Sequence, residues 1–213
     1  MRIHTITVGP FEENCYLVAD ESAGEAVLVD PGDDAPQLIA AVDASGCTLR
    51  AIWITHAHVD HVGAVTAVKR RFDVPLYLHP LDLPLYARAV DQGLLYGLHV
   101  ESLPAPDRDL AEGDAMQVGG LSFTVLHVPG HAPGHVAFVG HGVVFGGDCL
   151  FAGSVGRTDL PLCDPWALEQ SLARFSALPP ETVVYPGHGP ATSIGEENRT
   201  NPFLTGVVRL IKR

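Results

Sequence analysis

Four apolar runs in this chain, each rich in β-branched or aromatic residues, lead into a histidine or an aspartate. Ala51-Ile52-Trp53-Ile54 precedes Thr55-His56-Ala57-His58-Val59-Asp60-His61, and Phe123–Val128 runs through Pro129-Gly130 to His131. Val143-Val144-Phe145-Gly146-Gly147 ends on Asp148, and Thr182-Val183-Val184 continues through Tyr185-Pro186-Gly187 to His188. Such runs read as buried strands closed by turn residues. Loops at strand ends are where a scaffold presents working side chains. The pattern therefore demands a sheet-based fold whose strand ends carry imidazoles and carboxylates.

Those donors suit a borderline-to-hard cation such as zinc, iron or manganese. If Leu49–Thr55 is a strand, His56 and His58 leave it pointing the same way, because side chains alternate with period two. Asp60 and His61 then fall in the turn into the next helix and can face a second position. One short segment is thus able to feed two adjacent ions.

The motif HxHxDH, here His56, His58, Asp60 and His61, followed in order by His131, Asp148 and His188, resembles the metallo-β-lactamase superfamily over nearly the whole chain. The resemblance implies a first ion on His56, His58 and His131, a second on Asp60, His61 and His188, and Asp148 bridging them. It implies two divalent ions, zinc first, with iron or manganese as alternatives. Two ions about 3.5–4 Å apart can hold a hydroxide at neutral pH and polarise a carbonyl. Asp60 would orient that nucleophile as well as ligate.

Two further segments, Gly153–Leu160 and Gly187–Leu204, resemble the short, single-domain glyoxalase II-like hydrolases of the superfamily, which act on S-lactoylglutathione. Full-length glyoxalase II carries a C-terminal helical domain that grips glutathione, and this sequence ends at Arg213. Arg157 has two readings: a bidentate contact to a substrate carboxylate, or an internal ion pair with Asp159 or Asp164. The rival activity is that of the persulfide dioxygenases, which share HxHxDH and a Gly-Arg-Thr-Asp segment like Gly156–Asp159. Their single iron would here use His56, His131 and Asp148. A β-lactamase ranks below both, since nothing points to export. A binding module that has lost its ligands would show gaps in the donor set.

Of the other histidines, His4, His79, His99, His127 and His141 lack a partner pattern and read as structural, while His135 reads as a buttress for the His131 loop. Cys15, Cys47, Cys149 and Cys163 form no CxxC pair, which favours reduced thiols. Cys149 neighbours Asp148 and reads as a small buried residue.

Composition narrows the partners. Lys and Arg number 13 against 25 acidic residues, a formal net charge of −12, which disfavours nucleic acid. The densest basic cluster, Lys69-Arg70-Arg71, ends a predicted helix, where cations complement the dipole. No apolar stretch is long enough for a bilayer, and the N-terminus lacks signal-peptide features, so no membrane association and a cytoplasmic location are expected. A small-molecule thioester is the expected partner; oligomeric state is not legible.

The 213 residues read as a single domain over 1–213. Strands are predicted at Arg2–Val8, Asn14–Asp20, Ala26–Asp30, Leu49–Thr55 and Val74–Leu78, with helices at Ala35–Ala44, Val62–Phe72 and Leu81–Val90. Asp91–Asp109 reads as irregular, either a wall of the active site or a surface excursion. A second set follows: strands Ala115–Val118, Leu121–Val128, Val136–Val139 and Val143–Gly146, helix Pro165–Ala177, and a last strand at Thr182–Val184. Two strand sets flanked by helices predict an α/β fold, a four-layer αββα sandwich.

Overall fold

Strand β2 (Glu13–Asp20) is buried at every position. Its side chains split with period two: Cys15, Leu17 and Ala19 enter one apolar cluster, Tyr16 and Val18 another. A strand covered on both faces needs a layer on each side. The computed structural model, which describes residues 1–211, supplies both. The expected 1–213 span ends on Lys212 and Arg213, which lie outside the described residues.

The first sheet has the order β1 (Arg2–Val8), β2, β3 (Glu25–Val29), β4 (Thr48–Trp53), β5 (Leu76–Leu78), β6 (Arg108–Asp109). It is antiparallel through β1–β3 and parallel from β3 onward. Five strands of the second sheet are β7 (Ala115–Val118), β8 (Leu121–His127), β9 (Val136–Gly140), β10 (Val143–Gly147) and β13 (Val183–Pro186). The sixth, β14 (Thr192–Ser193), sits at its edge, and a small hairpin, β11 (Leu150–Phe151) with β12 (Ser154–Val155), follows β10 in the chain.

Between the sheets lies an aromatic core. Tyr16, Val29 and Trp53 meet Phe123, Phe138 and Phe145, with the Trp53 and Phe138 rings 5.1 Å apart. Burying each such side chain contributes roughly 1.5–3 kcal/mol. Outside the first sheet, α1 (Ala35–Ser45) and α3 (Val65–Phe72) set Leu38, Val42, Val65 and Val68 against Leu28 and Ile52. Outside the second, α6 (Pro165–Ser176) and α7 (Ile194–Thr200) set Leu168, Phe175 and Ile194 against Ala137, Val144 and Val184. The layers run helix, sheet, sheet, helix, as the patterning predicts.

Three local expectations change. The helix predicted at Val62–Phe72 is two: α2 (Val59–Val62) carries Asp60 and His61 and stops before α3. The break lies where the chain crosses residues 31–32. Ala64 N–H donates to Pro31 O at 3.0 Å, and a Cβ on Gly63 would overlap the Gly32 carbonyl. The helix predicted at Leu81–Val90 is a 3-10 turn at Pro80–Asp82, then α4 (Leu83–Tyr86) and α5 (Ala89–Leu95). α5 therefore consumes the start of the expected loop and β6 its end, so the irregular stretch is 96–107.

Lys69, Arg70 and Arg71 at the end of α3 pair with Asp107, Glu101 and Asp43. No helix among the described residues is long and apolar enough to cross a membrane.

Candidate metal centre

As the chain leaves β4, Asp30 fixes its exit. The Asp30 carboxylate accepts Thr55 N–H at 2.7 Å and Thr55 O–H at 2.6 Å, and one of its oxygens lies 3.0 Å from His61 Nδ1. Asp30 sits at φ 51°, a left-handed conformation that aspartate tolerates better than most side chains. A second buried carboxylate, Asp82, accepts Ala57 N–H at 2.9 Å and also Gly134 N–H, tying the HxH segment to the His131 loop. Burial pushes Asp82 up to about 6, against those two N–H donors. His131 Nδ1 lies 2.8 Å from Arg157 O, and Gly130 O accepts Asp164 N–H at 2.7 Å.

These supports bring the expected donors into two trios. His56, His58 and His131 have donor atoms within 4.8 Å of one another, and so do Asp60, His61 and His188. Asp148 sits between them: Oδ1 is 3.4 Å from His61 Nε2, and Oδ2 is 3.5 Å from both His131 Nε2 and His188 Nε2. All seven sequence-predicted donors therefore converge. His56 and His58 face the same trio although β4 ends at Trp53, because His58 keeps an extended backbone at φ −68°, ψ 152°.

The trios differ electrically. Burial drives His56 and His131 down and His58 down to about 3, so all three are neutral imidazoles. Burial opposes charge on His61 as well, but Asp148, Asp30 and Asp60 outweigh it and raise His61. His188 is likewise raised against its burial, by Asp60 and then Asp148. Asp148 is lowered despite complete burial, by His61, His131 and His188. Asp60 is lowered despite burial by His188, whose Nε2 is 3.3 Å from Oδ2.

Among the described residues, His56 Nε2, His61 Nε2 and Asp148 Oδ1 are buried without a hydrogen-bond partner. Leaving buried polar atoms unpaired costs about 1–3 kcal/mol each. Three orphaned polar atoms converging on one place fit cations, and the His/Asp cluster is a metal-binding site by its donor chemistry.

Arg157 is exposed, and its guanidinium makes a bidentate pair with Asp159 at 2.7 and 2.8 Å. Asp164 instead caps α6, accepting Trp166 N–H and Ala167 N–H. His135 is buried, stacks on the His56 ring at 4.8 Å and accepts Asp148 N–H at 2.9 Å, so it buttresses those two donors. Cys149 is buried in the apolar cluster under α6, and burial raises its thiol. His79 and His127 stack on each other at 4.4 Å, and His141 accepts Ser122 N–H.

Several residues escaped the sequence reading. Asp30 and Asp82 lie in no ligand motif. Glu13 is buried with both oxygens unpartnered, 3.8 Å from His61 Nδ1, and burial raises it. An open cleft touches Asp60 and is walled by Pro10, Phe11, Leu98, His99 and Val100. The irregular 96–107 stretch thus supplies a wall beside the donors, and its Tyr96 packs edge-on against Phe11 at 5.2 Å.

Residues 8–188 match the family model for the metallo-β-lactamase superfamily. A hydroxyacylglutathione hydrolase, GloC, of Haemophilus influenzae is 37% identical, covering 96% of this chain and 98% of that protein. The solved structure of TTHA1623 in a di-iron-bound form superposes with a TM-score of 0.87 at 52% identity, covering 94% of this chain and 100% of that one. BLEG-1, described as a B3 metallo-β-lactamase, gives a TM-score of 0.86 at 38% identity over 96% of this chain and 100% of that one. A converging donor set on an αββα frame, a family match across most of the length and these full-length relatives place the chain in the metallo-β-lactamase superfamily.

Proposed function

We propose that this chain is a two-ion hydrolase of small-molecule thioesters, with S-lactoylglutathione as the test substrate and zinc as the first metal to try. The observation that carries the reading is the complete donor set: two trios with a carboxylate between them and three buried donor atoms without protein partners. The likeness to the Haemophilus influenzae hydroxyacylglutathione hydrolase supports the choice of thioester.

His56, His58 and His131 would hold one ion and Asp60, His61 and His188 the other, with Asp148 shared between them. Bound there, two divalent ions supply an acidified water and a Lewis acid for the carbonyl oxygen. Asp60, kept ionised by His188, would accept a hydrogen bond from the attacking water and orient it. A thiolate leaves without help from a strong acid, so the absence of a dedicated donor in the trios is no obstacle. Arg157 would meet a substrate carboxylate by exchanging it for Asp159. Both partners are well exposed, at 60% and 69%, and such surface pairs are worth only about 0–1 kcal/mol.

Elemental analysis of protein purified without added metal, run beside a thioester assay, tests this. Two ions per chain with turnover is the expected result. One iron per chain, with oxygen uptake on glutathione persulfide and no hydrolysis, would replace it with the dioxygenase reading on His56, His131 and Asp148.

A further inference from the structure

His188 is the member of its trio that comes from the second sheet, whereas Asp60 and His61 ride on α2 beyond the first. The turn bearing His188 is held by the start of β2 in the first sheet. Asn14, 4% exposed, donates its side-chain amide to Gly189 O at 2.8 Å and Pro186 O at 3.2 Å, the carbonyls on either side of Gly187-His188. Its main-chain N–H donates to Gly187 O at 2.8 Å, and its own Oδ1 accepts Thr7 O–H at 2.9 Å. Tyr16 O–H adds a second donor to Pro186 O. His188 Nδ1 lies 3.0 Å from Phe11 O, two residues before β2 begins.

The chemistry of Asn14 is specific. Two carbonyl oxygens can be satisfied together only by an NH₂ group, and the Thr7 hydroxyl needs an acceptor on the other arm. An aspartate would face both carbonyls with no proton to give, a leucine of similar size would leave Gly189 O without this donor, and glutamine is one methylene too long. None of these bonds reaches the other trio. His131 is held by Arg157 O, and its loop by Asp82 and Asp164.

We propose that Asn14 is a positioning residue for the second ion alone: by bracketing His188 it sets the affinity of the Asp60, His61 and His188 trio and leaves the His56, His58 and His131 trio unchanged. The inference rests on the two-ion reading above.

The test is titration of the metal-free full-length chain with cobalt(II), followed by calorimetry and visible absorption, for wild type, Asn14→Ala, Tyr16→Phe and His188→Ala. Asn14→Ala loses two hydrogen bonds to the His188 turn. It should weaken one binding step roughly tenfold to a hundredfold and leave the other within about twofold. Its spectrum should lose the same component that His188→Ala loses. Tyr16→Phe, which removes one hydroxyl, should shift the same step less, and it keeps the test open if Asn14→Ala does not fold. Two unchanged steps, or two steps weakened equally, overturn the proposal. A wild-type chain that takes up one ion overturns the two-ion reading beneath it, and this inference with it.

Discussion

The two donor trios use the same imidazole for opposite electrostatic ends. His56, His58 and His131 are buried among one another, at 0%, 8% and 2% exposure, and stay neutral imidazoles at neutral pH. His61 is as buried as His56, yet Asp148, Asp30 and Asp60 around it keep it protonated in the metal-free protein. Burial alone therefore does not decide the state of a histidine; the carboxylates within reach do. The first trio stands ready to bind a cation, while the second must first give up protons to receive one.

The largest effect should come from the group that touches both trios. Asp148→Ala should lower thioester turnover by more than about 100-fold, because losing even an outer partner of a ligand costs 10–100-fold. Bound metal should fall at both positions; a variant that keeps turnover and metal would remove Asp148 from its place between the trios. Next come His58→Ala and His188→Ala, each expected to reduce bound metal from two ions to one, with different residual spectra. Identical residual spectra would erase the distinction between the trios.

Acidity separates them more gently. His61 and His188 titrate above the ordinary histidine value of about 6.5. A cation must displace those protons, so affinity at the second position should fall first as pH drops through that range. The first position, where His58 is pushed down to about 3, should hold its ion to much lower pH. Metal release followed from pH 8 down to pH 2 should show two steps in that order, and a single step would contradict the comparison. The smallest change belongs to Arg157→Ala, expected to raise KM severalfold with kcat little altered, since uniform binding is what would be lost. His4→Ala, on the exposed face of β1, should change neither metal content nor rate and serves as the control.

The seven donors were legible because each sits within a few residues of the end of an apolar run, a purely local signal. The groups that hold them were not. Asp82 meets Gly134 across 52 positions and Asn14 meets Gly189 across 175, so no window of sequence contains either contact. The layers followed from period-two and helical patterning, but the break in the helix after Val62 did not. It depends on Pro31 and Gly32 passing beneath Gly63 and Ala64, a tertiary event. By contrast α7 was missed although its sign is local. Ser193 caps it by accepting Glu196 N–H, and Ser-x-x-Glu is a known helix-start pattern.

Glycine lines much of this centre. A Cβ on Gly187 would overlap the Asp148 carboxylate and the His61 ring, one on Gly156 the Asp148 carbonyl, and one on Gly32 the Asp60 carbonyl. In a saturation scan of every position, these residues should score as intolerant as the ligands themselves, although they offer no side-chain donor. A map of inactivating substitutions would thus draw the centre larger than its chemistry. Tolerance should return along 96–107, which walls the cleft beside Asp60 without supplying a donor, and that is where a library seeking new substrates would be best spent.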